Sequence, residues 1–285
     1  MKQITVISGK GGTGKTTITA CLAKLARNFV AADCDVDAAD LHLLLKPKQG
    51  KAHDFYSGKG YMIDHDKCTN CGKCRELCRF AAIDEKFNID PISCDGCGAC
   101  YFACPENAIS VKDNLAGEYY ISSINNEITP FVHANLHIAE DNSGKLVSKV
   151  RQEARRMAEV TSADYIIIDG PPGIGCPVNA AIVGVNLALV ITEPTLSGIH
   201  DMERILDVAK HFKIASKVAI NKYDINIDNT KKIEDICSKR DINCISKIPY
   251  SKKVVEALIR GKTILDVEPE HKISMEMRNI WEQVK

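Results

Sequence analysis

Short apolar runs alternate with segments of helical period along most of the chain. The runs QITVIS, FVAAD, YIIID, LALVIT and KVAIN are mostly rich in β-branched residues and end in polar or glycine residues. Between several of them lie segments such as TTITACLAKLARN and HDMERILDVAKHF, in which apolar residues recur with the period of a helix. Buried strands that alternate with helices predict an α/β fold, a mainly parallel sheet with helices on both faces.

Two segments depart from this alternation. The stretch GEYYISSINNEITPFVHANL predicts an antiparallel hairpin that turns at Asn125–Asn126. The C-terminal stretch HKISMEMRNIWEQVK predicts a helix that packs on the α/β domain, because its apolar residues share one face and its polar face mixes acidic with basic residues.

The charge balance limits the partners of the protein. The 285 residues contain 37 Lys and Arg and 37 Asp and Glu, so no overall field draws the chain to nucleic acid or anionic lipid. The first residues, MKQITVISGK, lack the apolar core of a signal peptide, and no run of about 18 apolar residues appears. We therefore expect a cytoplasmic protein with no nucleic-acid partner and no stable membrane association.

Cysteines are clustered in one part of the chain. Eight of the 13 lie between residues 68 and 104, and the first four recur after 94 − 68 = 26 residues. The two sets are Cys68, Cys71, Cys74 and Cys78, and Cys94, Cys97, Cys100 and Cys104. A repeat at a fixed offset predicts two copies of one small unit, packed about a pseudo-twofold axis.

The spacing of these cysteines is typical of iron–sulfur ligands. A C-x₂-C-x₂-C loop supplies three thiolates to one [4Fe–4S] cluster, and the fourth cysteine of each run ligates the other cluster. The expected ligands are Cys68, Cys71, Cys74 and Cys104 for the first cluster, and Cys94, Cys97, Cys100 and Cys78 for the second. A pair of structural zinc sites is the alternative.

The cysteine repeat resembles the bacterial two-cluster ferredoxins over its whole length. One departure is that Arg79 follows Cys78, whereas Pro105 follows Cys104. The resemblance implies an inserted α+β ferredoxin domain at residues 61–114. It interrupts a discontinuous domain that comprises residues 1–60 and 115–285.

A glycine-rich segment, GKGGTGKT at residues 9–16, fits the phosphate-binding pattern G-x-x-x-x-G-K-[ST] between a strand and a helix. Lys15 is expected to reach the β- and γ-phosphates, and Thr16 to ligate Mg²⁺. Asp169, at the end of YIIID, is expected to hold a magnesium-bound water. The candidate phosphate-binding residues are Gly11, Gly12, Thr13, Gly14, Lys15, Thr16 and Thr17.

Lys10 gives the loop the form K-G-G-x-G-K-T, which resembles the MinD/ParA/Mrp group of P-loop ATPases, the group that includes the nitrogenase iron protein. The resemblance implies ATP or ADP as ligand and a homodimer promoted by ATP. Lys10 would cross that dimer to the partner's nucleotide. The segment ADCDVDAADL resembles the first switch of the family, with Asp33 near Mg²⁺ and Asp35 orienting the attacking water. Lys10, Lys15 and Asp35 are thus the expected catalytic residues.

The segments INKYD and IPYSKKVVEAL resemble the part of the family that binds the base. Asn221 is the expected adenine contact, and Pro249 belongs to the same site. Asn221, Lys222 and Asp224 also spell N-K-x-D, a pattern that reads guanine in G domains, so GTP is the alternative nucleotide.

Cys176 follows Asp169 at a spacing that resembles a cluster ligand of the nitrogenase iron protein. We interpret it as a buried structural thiol. A transient cluster, or one shared between subunits, is the alternative.

These features together lead to one main functional hypothesis and two alternatives. The main hypothesis is a Mg-dependent ATPase with two [4Fe–4S] clusters that couples nucleotide state to electron transfer or to the maturation of a metalloprotein or iron–sulfur protein. Its partner would be a redox protein or a metalloprotein. The first alternative is an iron–sulfur carrier or scaffold of the Mrp type. The second is a positioning ATPase of the ParA/MinD type.

Overall fold

The computed structural model describes residues 1–125, 127–137, 140 and 143–285, and the chain divides into two compact units. The first unit comprises Met1–His53, Tyr119–Asn135 and Ser143–Lys285. The second unit comprises Asp54–Glu118 and Leu136–Asn142. The cysteine repeat lies wholly within the second unit.

The strands form one sheet in the order β3-β4-β5-β2-β6-β1-β7-β8-β9. From β5 to β9, every pair of neighbours is parallel, which confirms the prediction of a mainly parallel α/β sheet. The strands are Lys2–Ser8 (β1), Phe29–Asp33 (β2), Lys48–Ile63 (β3), Ile109–Ile124 (β4), Thr129–Leu136 (β5), Tyr165–Pro172 (β6), Leu187–Thr192 (β7), Ala215–Asn221 (β8) and Asn243–Ile248 (β9).

The helices follow the strands as the sequence pattern predicts. They are Lys15–Leu25 (α1), Leu41–Leu45 (α2), Lys73–Leu77 (α3), Ala99–Ala103 (α4), Ser143–Val160 (α5), Cys176–Ile182 (α6), Leu196–His211 (α7), Ile227–Lys239 (α8), Lys252–Ile259 (α9), Ile264–Val267 (α10) and Lys272–Val284 (α11), with a 3₁₀ turn at Tyr223–Ile225. Across the described residues, no helix combines the length and the apolar character needed to cross a membrane.

Both faces of the parallel sheet are buried. Successive residues of a strand point to opposite faces, so Val6 belongs to one apolar cluster and Ile7 to the other. Residues of α1 and α11 complete the first cluster, and residues of α6, α7 and α8 complete the second. The packing of Ile273 and Ile280 of α11 in the first cluster confirms the predicted role of the C-terminal helix.

The hairpin segment is longer than the sequence suggests. β4 and β5 are neighbours in the sheet, and Asn125 between them has a left-handed backbone with φ 53°. Asn126, the other residue of the predicted turn, lies outside the described residues. β3 was not predicted, because its sequence, KQGKAHDFYSGKGYMI, is mostly polar and exposed.

The second unit contains a reciprocal pattern of hydrogen bonds between its two cysteine repeats. The backbone N–H of Asp64 donates to the carbonyl of Ala108 at 2.7 Å, and the N–H of Asp90 donates to the carbonyl of Ala82 at 2.8 Å. Asp90 is Asp64 shifted by 26 residues, and Ala108 is Ala82 shifted by the same number. Such exchanged contacts are those of a twofold relation, which is the arrangement that the sequence repeat predicts.

The two repeats also share local backbone conformation. Gly72 precedes α3 with φ 80°, and Gly98 precedes α4 with φ 78°. These left-handed angles favour glycine, since other residues pay a steric cost there. Each helix ends at the fourth cysteine of its repeat, Cys78 or Cys104, with φ −74° in both.

A buried histidine connects strands of the first unit. His133 of β5 stacks against the rings of Tyr120 and Phe131, and its Nε2 lies 3.0 Å from the Oγ of Ser122. The N–H of Gly50 donates to the same Oγ, which leaves the hydroxyl proton free to point at His133. Burial, and to a lesser extent the nearby His42, lower the pKa of His133 from 6.5 to about 4.

We expect this histidine to destabilise the fold in acid. Because the pKa of His133 is depressed in the folded state, the unfolded chain binds its proton more readily. The stability is therefore intact above pH 6.5 and declines as the pH falls towards 4. The loss is at most about 1.4 kcal/mol per pH unit, or roughly 3 kcal/mol in all. Urea unfolding of His133→Phe should show a shallower decline over this pH range than the unmodified protein.

Replacement of the exposed His200 in α7, in the variant His200→Gln, provides the control for removal of a histidine. Equal acid sensitivity of the His133→Phe variant and the unmodified protein would contradict the prediction.

Candidate functional site

The carboxyl ends of β1, β2 and β6 meet at one edge of the sheet. The parallel register pairs Asp33 with Asp169, and Ser8 with Pro172. Three segments that are distant in sequence therefore converge at the start of the glycine-rich loop. In open α/β sheets, ligands bind outside the carboxyl ends of the strands.

The glycine-rich loop connects β1 to α1 and curves around a cavity. Gly14 has φ 86°, and a Cβ atom on it would lie 2.5 Å from the Nδ2 of Asn221, so a side chain is excluded there. The cavity has a volume of about 650 Å³. Its walls include most residues predicted for nucleotide binding: Lys10, Gly11, Gly12, Thr13, Gly14, Lys15, Thr16, Thr17, Asp35, Asn221 and Pro249.

Lys15 and Asp169 form a buried ion pair beneath the loop. The Nζ of Lys15 lies 3.0 Å from an oxygen of Asp169, and both side chains are almost fully buried. Thr16 donates its hydroxyl hydrogen to one oxygen of Asp169 at 2.7 Å, and Thr19 donates to the other at 2.8 Å. Asp169 thereby ties the end of β6 to the first turn of α1.

Asp33 supports the first switch segment from below. Its two carboxylate oxygens accept the backbone N–H groups of Asp35 and Leu41 at 3.1 and 3.0 Å. Asp33 is fully buried, whereas Asp35 reaches the cavity and lies 3.4 Å from the Nζ of Lys15. The two aspartates are thus placed differently, Asp33 within the protein and Asp35 on the cavity wall.

The ionisation of this cluster is perturbed by burial and by its own charges. Burial acts to lower the pKa of Lys15, but Asp169, Asp35 and Asp33 together raise it. The pKa of Asp33 lies well above its ordinary value, chiefly because of burial and also because of Asp169. Burial likewise raises the pKa of Asp35, against the influence of Lys15.

The donor atoms of the cluster fit a magnesium ion. One ammonium group faces three carboxylates, and the hydroxyl of Thr16 lies among them. Oxygen ligands of this kind are those that Mg²⁺ uses, together with water and substrate phosphates. The Oγ1 of Thr13 lines the cavity region and is buried, with no hydrogen-bond partner among the described residues, so the loop retains an unused donor.

Asn221 is bonded to the loop rather than free in the cavity. Its Nδ2 donates to the carbonyl of Thr13 at 2.8 Å, and its Oδ1 accepts the N–H of Lys222. Asp224, the last residue of N-K-x-D, accepts the N–H of Tyr250 at 2.7 Å and does not line the cavity.

Glu193 is a residue of this site that the sequence did not reveal. It follows β7, and its carboxylate forms ion pairs with Lys10 and Lys222, both of which line the cavity. No local motif marks this residue, because the contact joins segments that are far apart in sequence. Thr19, which bonds to Asp169, was missed for the same reason.

The eight clustered cysteines line two separate cavities in the second unit. Their walls include Cys68, Cys71, Cys74 and Cys104 in the first, and Cys94, Cys97, Cys100 and Cys78 in the second. Each cavity therefore takes three cysteines from one repeat and the fourth from the other. The N–H of Ala108 points at the sulfur of Cys104, with a distance of 3.3 Å from nitrogen to sulfur.

Over the described parts of the chain, no group of three or more His, Cys, Asp or Glu side chains is arranged to bind a metal ion. The prediction of iron–sulfur clusters therefore gains no support from a preformed metal site.

The interpretation of Cys176 as a buried thiol is wrong. Cys176 is exposed, because it is the first residue of α6 and follows the exposed Gly175. The other four cysteines outside the repeat are buried or half-buried.

Comparison with known proteins gives the family. Residues 4–264 match the family model described as the CobQ/CobB/MinD/ParA nucleotide binding domain. The chain is 36% identical to uncharacterized protein MJ0578 of Methanocaldococcus jannaschii, over 99% of this chain and 96% of the relative. It is 22% identical to the septum site-determining protein MinD of Bacillus subtilis, over 99% of this chain and 88% of the relative.

Solved structures show the same fold. MinD of Pyrococcus horikoshii, in complex with Mg-ADP, superposes with a TM-score of 0.58 at 21% identity, covering 100% of this chain and 96% of that one. The cell division ATPase MinD of Pyrococcus furiosus gives a TM-score of 0.58 at 20% identity, covering 99% and 98%.

Of the three functions considered from the sequence, these comparisons favour the ParA/MinD-type ATPase over iron–sulfur electron transfer. The family match, the glycine-rich loop and the strand order of the sheet all indicate the same type of domain. The chain belongs to the CobQ/CobB/MinD/ParA nucleotide-binding family and carries a P-loop ATPase domain of the MinD/ParA type.

Proposed function

We propose that this protein is a Mg-dependent ATPase of the MinD/ParA type whose second unit binds two [4Fe–4S] clusters, so that nucleotide state is coupled to electron transfer or to metalloprotein maturation. The observation that carries the ATPase part is the position of Lys15. Its ammonium group is held between Asp169 and Asp35, at the wall of a cavity formed by the glycine-rich loop.

The residues of the loop explain how phosphates are bound. The N-terminus of α1 has no side-chain cap, and its first residues line the cavity, so its backbone N–H groups would favour anionic oxygens. Lys15 would exchange part of its contact with the two aspartates for contact with the β- and γ-phosphates. Bound Mg²⁺, held by Thr16 and through water by Asp169, would neutralise the phosphates and polarise them.

Asp35 is the carboxylate expected to orient an attacking water, because it lines the cavity beside Lys15, whereas Asp33 does not line the cavity. Asp33 would act through the backbone, since it holds the N–H groups of Asp35 and Leu41. Adenine would lie near Pro249, which lines the cavity. Asp224 would have to accept hydrogen bonds from guanine if the protein bound GTP. One of its carboxylate oxygens already accepts the N–H of Tyr250, which favours ATP over GTP.

The crossed lining of the two cysteine cavities supports the cluster proposal. A four-iron cube binds each thiolate at a different iron, so its four sulfurs surround a volume and do not converge on one point. The grouping of Cys104 with the first repeat and Cys78 with the second is the grouping that two cubes require. The N–H that points at the Cys104 sulfur is the kind of contact that tunes cluster potential.

The chain itself connects the two activities. The first switch segment ends at α2, and the next element, β3, begins in the first unit and ends in the second. A change at Asp35 on nucleotide binding would thus reach the first cluster-binding repeat along β3. The partner would be a redox protein or a metalloprotein, and ATP would promote a homodimer through Lys10.

A positioning ATPase is the second candidate, and the names of several relatives favour it, since they are septum site-determining proteins. ATP-dependent binding to liposomes or to DNA, with colourless protein, would support this candidate over the first.

Replacement of Lys15 should weaken nucleotide binding. Lys15→Ala removes a charge-assisted contact to the phosphates, which contributes about 1.5–3 kcal/mol, or roughly 10- to 100-fold in affinity. Calorimetric titration with Mg-ATP measures the effect. Lys24→Ala, which removes an exposed lysine of the same helix paired with Asp266, is the matched control and should bind normally.

Lys15→Ala also leaves buried carboxylates without a compensating charge and could therefore disturb folding. A second variant tests the site independently. Thr16→Val should weaken ATP binding in the presence of Mg²⁺ and have little effect in the presence of a chelator. Equal binding by Thr16→Val and the unmodified protein with Mg²⁺ would contradict the assigned role.

Cysteine variants test the cluster assignment. Anaerobically purified protein should contain about eight irons per chain, and Cys104→Ser or Cys78→Ser should each retain about four. The two variants should lose different clusters, which separate electron paramagnetic resonance spectra would show. Cys176→Ser is the control and should keep all the iron. Tightly bound zinc and no visible absorption after anaerobic reconstitution would exclude the clusters.

Coupling between the two units is testable with Lys10. Lys10→Ala should retain nucleotide binding and both clusters but lose ATP hydrolysis and the ATP-promoted dimer. In the unmodified protein, reduction of the clusters should change nucleotide affinity by about fivefold or more, and ATP should shift the cluster potential reciprocally. Equal affinities of the oxidised and reduced forms would mean that the clusters and the nucleotide site are independent.

A further inference from the structure

Glu193 bridges two lysines at the nucleotide cavity. Its side chain is only 12% exposed, and its two oxygens pair with different ammonium groups, Oε1 with Lys222 and Oε2 with Lys10 at 3.4 Å. Both lysines line the cavity and Glu193 does not. One carboxylate behind the wall thus pairs with two positive charges.

The two ion pairs are unequal. Lys222 is close to Glu193 and also donates to the carbonyl of Gly12 at 3.3 Å. Lys10 is farther from Glu193, and its second contact is the hydroxyl oxygen of Thr195 at 3.3 Å. When Lys10 leaves, Glu193 stays paired with Lys222. Glu193 therefore avoids the desolvation penalty of a buried carboxylate without a partner, so the release of Lys10 costs little free energy.

The backbone around Lys10 is fixed. Ser8 donates its hydroxyl hydrogen to the carbonyl of Lys10 at 2.9 Å. A Cβ atom on Gly9 would overlap the Cβ of Asp201 in α7, so this part of the loop packs tightly on that helix. Only the flexible side chain of Lys10 is free to move between partners.

We propose that Glu193 is a positioning residue that holds the ammonium group of Lys10 within its own subunit until a second, nucleotide-bound copy of the chain offers phosphate oxygens. The inference rests on the proposed function, in which Lys10 serves the nucleotide of the partner subunit. Without nucleotide, Glu193 and Thr195 satisfy the charge and the donors of Lys10. A polyphosphate carries more negative charge than one carboxylate shared with Lys222, so it competes successfully for Lys10.

Amine labelling tests the contact without reference to dimer formation. Glu193→Gln keeps the shape of the side chain and removes its charge. In protein without added nucleotide, the labelling rate of Lys10 by an amine-reactive reagent, followed by mass spectrometry, should rise about 1.5- to fivefold, the range expected for the loss of a partly exposed ion pair. Lys24, paired with Asp266, is the internal reference and should not change. An unchanged rate at Lys10 would overturn the proposal.

Dimer formation tests the consequence. With Mg and a non-hydrolysable ATP analogue, Glu193→Gln should lower the dimer dissociation constant about 1.5- to fivefold relative to the unmodified protein, measured by analytical ultracentrifugation. Glu203→Gln, which removes a carboxylate of α7 paired with Arg240, is the matched control and should leave the constant unchanged. An unchanged or higher constant for Glu193→Gln, in a protein that does dimerise, would overturn the inference about Glu193.

The two measurements distinguish failure of the inference from failure of the proposed function. Unmodified protein that stays monomeric with the analogue would overturn the ATP-promoted dimer. In that case, faster labelling of Lys10 in Glu193→Gln would support the holding contact, and slower or equal labelling would overturn it.

Discussion

The buried ion pair of Lys15 with Asp169 is the interaction on which the nucleotide site depends. It joins the first turn of α1 to the end of β6, with Thr16 and Thr19 on the two oxygens of the carboxylate. A buried carboxylate and a buried ammonium each carry a large desolvation cost, which only a close partner and further hydrogen bonds offset. The pair therefore holds the loop in place before any nucleotide arrives.

Charges around this pair are distributed unevenly. Lys15 faces three carboxylates, whereas Lys10 and Lys222 share the single carboxylate of Glu193. The carboxylate-rich side suits a divalent cation, and the lysine-rich side suits phosphates. A magnesium–nucleotide complex has the matching order of charges, so its binding compensates both sides at once.

The second unit depends less on apolar burial for its stability. Its apolar cluster of buried residues, in the described part of the chain, is small: Ile63, Cys74, Ile83 and Ile109. A unit of this size rarely gains enough stability from apolar burial alone, and metal binding is a common supplement. Two clusters in the two cysteine cavities would supply it, since metal binding to a folded unit contributes directly to its stability.

The sequence alone determined the parallel α/β fold, the phosphate-binding loop and the twofold repeat of the cysteines, because each depends on residues close together in the chain. The short apolar runs of the strands, the glycines of the loop and the fixed 26-residue offset of the cysteines can each be read from a limited stretch of sequence. The sequence did not predict the polar strand β3, since its exposed residues give no alternating apolar pattern. The burial of Cys176 was misjudged, because its exposure depends on how the start of α6 packs.

Only the tertiary structure decided which distant residues meet. The parallel register sets Asp33 beside Asp169, and it assigns Asp33 to the backbone of the switch and Asp35 to the cavity. The contact of Glu193 with Lys10 spans more than half of the chain and has no local signature. Long-range electrostatic contacts of this kind arise when whole helices and strands pack together. A sequence motif contains only residues that are neighbours along the chain, so it does not reveal such contacts.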